Sequence, residues 1–153
     1  MSRLKLTQRP GTGKVVNVTP ENAGWKYVGF DLHKLNKGDA ASEKSDGDET
    51  CLVFISGKGN VTAGGKDLGE LGERMSVFEG KPWSVYLPAG VEWKVEATSD
   101  VELAVCRAPS INGDLPVRVI GPDDLGLETR GKGSNVRHVI NILPEGEPAD
   151  SLL

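Results

Sequence analysis

The chain has 153 residues with 18 basic and 22 acidic side chains, a net charge of -4 and an apolar fraction of 37%, which suits one domain with a core of its own. Neither the charge balance nor the spacing of Lys and Arg makes the basic stripe that a phosphate backbone requires, so a nucleic-acid partner is excluded. No apolar run is long enough to cross a bilayer and no apolar segment follows residues 1–10, so the expected location is cytoplasmic, away from any membrane.

Short runs of Val, Ile, Leu, Thr and aromatic residues, separated by Gly, Pro, Asn and Asp, recur along the whole chain, and helical periodicity is hard to find. The predicted class is all-β, with strands at 3–8, 14–18, 26–35, 50–56, 59–63, 66–69, 74–78, 83–87, 92–97, 101–107, 116–120 and 135–142. The first two could complete a barrel or pair with a neighbour. In FDLHKL, alternation puts His33 on a half-exposed strand face. The polar segment AASEKSDGDE, 40–49, reads as an exposed loop. Glycine-rich corners at 56–59 and 63–66 supply the positive φ that tight hairpins need. Cys51 and Cys106 each lie in an apolar strand run, as buried thiols of a reducing compartment do, and the sequence leaves their proximity in space open. After the corner Leu87-Pro88-Ala89-Gly90, residues Trp93, Val95 and Ala97 alternate with Glu92, Lys94 and Glu96, which turns the indole inward. Many short strands at close spacing predict a closed barrel or sandwich.

The chemical motifs are sparse. Two histidines, His33 and His138, stand more than a hundred residues apart without paired ligands, which argues against a His-based metal site. No G-x-S-x-G elbow is present, so acyl transfer lacks support. Gly126 to Lys132 matches the first seven positions of a phosphate-binding loop, but Gly133 stands where Ser or Thr must hold magnesium, and a β-patterned run follows. The acidic residues 46–49 lack EF-hand spacing. The remaining candidates are Arg130, Lys132 and Arg137, cations among glycines and exposed amides that suit a carboxylate or phosphate. The competing reading of the same segment is a hydrophilic hairpin tip or subunit contact.

The order strand, Gly-rich hairpin, strand, Pro-x-Gly turn, strand resembles the cupin barrel. Gly57 fits the closing glycine of the first cupin motif, and Pro88 with Gly90 fits the turn of the second. The resemblance places the metal-ligand positions on Glu43, Ser45, Thr50 and Trp93, with Glu49 one place off. None is histidine, so the expectation is a cupin-type β-barrel, or double-stranded jelly-roll-like sandwich, without a metal. Trp93 then fills the space of the last metal-binding histidine, and Trp93→His alone should not restore metal binding.

The runs ENAGWKYVGFDLHKL, GELGERMSVFEGKP, VELAVCRAP and RGKGSNVRHVINILPE resemble, across essentially the whole chain, the N-terminal half of the 5-deoxy-glucuronate isomerase family of bacterial myo-inositol catabolism. That resemblance implies a bicupin roughly twice this length that interconverts 5-deoxy-glucuronate and 2-deoxy-5-keto-gluconate. Residues 1–143 would form a metal-free first cupin, and 144–153, ending in Leu152 and Leu153, a linker toward a second one. It further implies that the divalent metal belongs to the second barrel, that this half is inactive alone, and that Arg130, Lys132 and Arg137 contact the carboxylate of a sugar acid. A homo-oligomer is expected, since an unclosed sheet edge invites a partner. The alternative is a metal-free cupin serving as a structural or sugar-acid-binding module.

Overall fold

The structure, a computed structural model, describes residues 6–151. Two antiparallel sheets face each other around one core, the two-sheet arrangement expected of a cupin-type barrel. The larger contains β1 (Gly13–Val18), β2 (Gly29–Leu35), β4 (Asp48–Ser56), β7 (Ser84–Leu87), β9 (Val101–Pro109) and β10 (Arg118–Ile120), in the order β1-β2-β9-β4-β7-β10. The smaller contains β3 (Ala40–Lys44), β5 (Gly59–Ala63), β6 (Lys66–Leu71) and β8 (Glu92–Ala97), ordered β3-β8-β5-β6. A separate hairpin pairs β11 (Gly126–Arg130) with β12 (Arg137–Asn141).

Period-two alternation decides which side chains enter the barrel. Leu52 and Phe54 of β4, Val85 and Leu87 of β7, Leu103 and Val105 of β9, and Trp93 and Val95 of β8 join one core cluster. The alternate residues of the large sheet face the other way: Cys51, Val53 and Ala104 form a second cluster, covered by Ile142 and Leu143. The large sheet is therefore apolar on both faces, which explains why β4 and β9 read as nearly continuous apolar runs. Cys51 and Cys106 prove to be register partners across β4 and β9, and both are free thiols. Burial pushes the Cys51 thiol up to about 12.

Two glycines are dictated by the corners. A Cβ on Gly57, whose φ is 87°, would collide with the Asp100 carbonyl oxygen, and Gly90, φ 79°, donates its amide to the Ser45 carbonyl.

Several expectations are corrected. Of the strand at 3–8, residues 3–5 lie outside the described residues and 6–8 form no strand. The strand at 26–35 starts only at Gly29, because a helical turn, Pro20–Ala23, capped by Thr19, precedes it. The segment 40–49 is not an exposed loop: β3 and the start of β4 occupy most of it, with Ala41 and Glu49 buried. Its polar residues mislead because Glu43, Ser45 and Glu49 find partners inside the fold while Ser42, Lys44 and Asp46 stay on the outer face. Residues 74–78 form no strand, and Met75, Val77 and Phe78 are exposed. Strand composition is overridden there by the tertiary setting, in which Arg74 donates Nε–H to the Ile55 carbonyl at 2.9 Å. The cationic stretch at 128–130 is a strand, and the turn that follows it joins the two arms of a hairpin.

The tail folds back onto the sheet. Glu49, fully buried, accepts the Tyr86 hydroxyl at 2.5 Å and the backbone amides of Asp150, at 2.8 Å, and Ser151. The Asp150 carboxylate accepts amides from Ile111, Asn112 and Gly113 together with the Ser110 hydroxyl. That nest, led by the Asn112 amide, holds the Asp150 carboxyl down at about 2. Leu152 and Leu153 lie outside the described residues.

Candidate functional site

At one end of the barrel the interior stops being apolar. On β2, the alternation that sends Leu35 into the core also sends Asp31 and His33 inward, and both are buried. Arg107 extends the inward series Leu103, Val105 on β9. Glu43 of β3 is the register partner of Trp93 on β8, so it shares the indole's face. Lys14 of β1 is opposite His33, just before an irregularity in the β1–β2 register between Lys14 and Val16.

These five side chains form one network. Arg107 Nη2 donates to Asp31 Oδ2 and, at 2.7 Å, to Glu43 Oε2. Lys14 Nζ lies 2.8 Å from Asp31 Oδ2 and also donates to Glu43 Oε1. Asn17 Nδ2 supplies the other Asp31 oxygen at 2.7 Å. Two cations therefore balance two carboxylates. Burial by itself would raise both carboxyl pKa values, but the hydrogen bonds from Arg107 and Lys14 outweigh it and hold them below the usual range. Burial likewise works against the charge on Lys14 and Arg107, and their bonds to the two acids raise both above their ordinary values. Burial, with Lys14 nearby, pushes the His33 imidazole down. His33 is therefore neutral near pH 7, with its ring edge-on to Trp93 at 6.3 Å between centroids.

Ligand atoms of Asp31, His33 and Glu43 lie within 4.8 Å of one another, which is a plausible donor set for a divalent cation. The set does not fit one as it stands. One oxygen of each carboxylate is bonded to the Lys14 ammonium, and the other charge-assisted bonds go to Arg107. A divalent ion would add two charges to a balanced cluster unless a cation left.

Of the positions aligned with cupin ligands, Glu43 and Trp93 do meet inside the barrel, Trp93 being 2% exposed. Ser45 serves the β3–β4 corner, donating its hydroxyl to the Asp48 carbonyl at 2.6 Å. Thr50 is buried with no hydrogen-bond partner for its hydroxyl.

The cations singled out from sequence are elsewhere, on the β11–β12 hairpin. Arg130 and Arg137 are register partners, and both are exposed. Arg130 pairs with Glu128 at 2.8 Å. Lys132 is exposed in the intervening turn. Lys14, Asp31 and Arg107 were not singled out, and His33 is buried instead of half-exposed. The signal for Asp31 and His33 was present: two polar residues in phase with Leu35 on an inward face. Arg107 and Lys14 carried no comparable signal, since what makes them special is convergence from strands far apart in the chain.

Outside the barrel mouth, Lys26, Lys44 and Arg107 line an open depression together with Glu21, Asp46 and Asp48. Among the described residues no helix is long and apolar enough to cross a membrane.

The model of the KduI/IolB family matches residues 3–153. The 5-deoxy-glucuronate isomerase of Geobacillus kaustophilus (strain HTA426) is 49% identical over 156 residues, covering 100% of this chain and 56% of that protein. The crystal structure of an IolB-like protein from Salmonella typhimurium LT2 superposes with a TM-score of 0.90 at 46% identity, covering 95% of this chain and 55% of that one. An oxalate decarboxylase structure, 17% identical, superposes with a TM-score of 0.53 over 76% of this chain and 30% of its own, a likeness of fold alone. The chain spans about half the length of the relatives it matches.

Proposed function

The chain belongs to the KduI/IolB family, and from that premise we propose that it is the first barrel of a 5-deoxy-glucuronate isomerase acting in cytoplasmic inositol catabolism. The whole protein would interconvert 5-deoxy-glucuronate and 2-deoxy-5-keto-gluconate. The observation that carries this reading is identity of nearly one half, over the full chain, with a relative named for that activity. Moving a proton between adjacent carbons through an enediol needs a base at the carbon acid and an electrophile at the carbonyl oxygen. In the interior of this barrel Trp93 fills the core, the acids and the cations Lys14 and Arg107 are bonded to one another, and His33 is buried behind them. The reacting groups, and the divalent cation that would polarise the carbonyl oxygen, belong in this reading to the second barrel. This half supplies scaffold and the face between barrels.

Lys132 and Arg137, with Arg130 beside them, are the proposed contacts to the substrate carboxylate. Their exposure on a projecting hairpin supports that role. A homo-oligomer is part of the same reading, supported by exposed Trp25, Tyr27 and Phe78. Isomerase assays on the 153-residue chain and on a two-barrel protein carrying it test the proposal. Turnover is expected only from the latter, and Arg137→Ala there should raise KM with little change in kcat. Turnover by the 153-residue chain alone would refute the division of labour.

A second reading, a sugar-acid-binding module, rests on Lys26 and Lys44 of that depression, which stand there beside Glu21, Asp46 and Asp48. Calorimetric titration of the 153-residue chain with glucuronate would then show saturable binding that Lys44→Ala weakens.

A further inference from the structure

We propose that the first barrel contains a masked transition-metal site, Asp31, His33 and Glu43, whose cation position is taken by the ammonium of Lys14. Asp31 and His33 stand two residues apart on β2, so both point inward, and Glu43 meets them from β3. Their ligand atoms lie within 4.8 Å of one another. A tetrahedral divalent ion bonded at about 2.0–2.2 Å holds its donors about 3.3–3.6 Å apart, so the three ligand atoms would draw together by more than about 1 Å on binding.

The independent observation is His33. It is 6% exposed, and its Nε2 has no hydrogen-bond partner although it lies 4.0 Å from Glu43 Oε1. A buried ring nitrogen without a partner is costly unless something occupies the space before it. A neutral imidazole beside two carboxylates is the donor set that a borderline ion such as Zn2+ or Co2+ accepts. Lys14 competes for that place. Its Nζ bonds one oxygen of Asp31 and one of Glu43, the two acids that a metal would share with His33. Lys14 is the register partner of His33 on the edge strand, next to the irregularity at Val15. The ammonium brings one positive charge where a divalent ion brings two, which leaves the cluster balanced with Arg107 in place. The Lys14 ammonium thus stands where a metal ion would have to bind. The inference does not depend on the isomerase reading.

The test uses the tag-free 153-residue chain and its Lys14→Met variant, titrated with Co2+ and followed by visible d–d absorption, then with Zn2+ in a thermal melt. Lys14→Met should bind one Co2+ per chain roughly a hundredfold more tightly than the wild type. Its thermal midpoint should rise by about 5–10 °C at Zn2+ about a hundred times above Kd. Lys14→Met/His33→Ala should lose both responses. If Lys14→Met is unfolded without metal, the melt still decides, because Zn2+ must restore a cooperative transition. The proposal is overturned if Lys14→Met binds Co2+ no better than the wild type, if His33→Ala leaves the binding intact, or if Zn2+ fails to stabilise or restore the fold.

Discussion

Replacing Arg107 with Met keeps most of the side-chain volume and removes the guanidinium that bridges Asp31 and Glu43. Asp31 is fully buried, so the change leaves a desolvated carboxylate that has lost one of its two cations. Breaking a buried pair by removing one partner costs about 3–5 kcal/mol. Here Lys14 stays 2.8 Å from Asp31 and Asn17 still donates to it, so the cost falls to about 2–3 kcal/mol. For a chain of this size that lowers the melting midpoint by about 4–12 °C. Urea unfolding followed by tryptophan fluorescence measures it. In the wild type both carboxyl pKa values are depressed, so their stabilisation is full above the unfolded carboxylate range and is lost as pH falls through the folded values. In the variant, burial is less completely offset and the Asp31 carboxyl moves up. Its penalty is therefore largest near pH 7 and shrinks toward about pH 4, as the native state takes up a proton. A loss below about 1 kcal/mol near neutrality, or one that stays constant between about pH 7 and 4, would refute the account of a charge-balanced interior.

Trp93→Ala should destabilise by about 3–5 kcal/mol in the same urea assay, since the indole is 2% exposed within the main core. Trp93→His, with Lys14 still in place, should bind no Co2+, as read by the absence of d–d absorption. Asp150→Asn should speed amide hydrogen exchange at Ile111, Asn112 and Gly113, which all donate to that carboxylate. Its depressed carboxyl keeps those bonds in the wild type as the solution is acidified below the ordinary 3.8, and they are lost only as pH falls through about 2. With its thiol pushed up to about 12 and its side chain under Ile142 and Leu143, Cys51 should resist Ellman's reagent near pH 8 until the chain is unfolded. Fast reaction of Cys51 in a native Cys106→Ala chain would show that Ile142 and Leu143 do not cover that face.

Most strands were legible because period two leaves a clear trace where one face is buried, as in Trp93, Val95 and Ala97 of β8. The errors fall where local pattern and tertiary setting part. Residues 74–78 have strand composition but form bends and a turn, with Met75, Val77 and Phe78 exposed. Residues 40–44 are polar yet form β3, since Ala41 and Glu43 find an inward face whose charges are balanced by partners from β1 and β9. In the tail, the backbone amides of Asp150 and Ser151 bond to Glu49, contacts that its proline and acid content does not announce.

Sequence alone determined the all-β class, the glycine corners, the inward Trp93 and, through long matching runs, the family resemblance. Those features are written in neighbouring residues, by alternation, turn chemistry and contiguous identity. The candidate site was decided only by the tertiary structure. Lys14, Asp31, His33, Glu43 and Arg107 come from four strands, and their roles rest on distances and a charge balance that exist once β1, β2, β3 and β9 have converged. A lysine near the start of the chain looks like any surface cation until the β1–β2 register sets it opposite His33 and between buried Asp31 and half-buried Glu43.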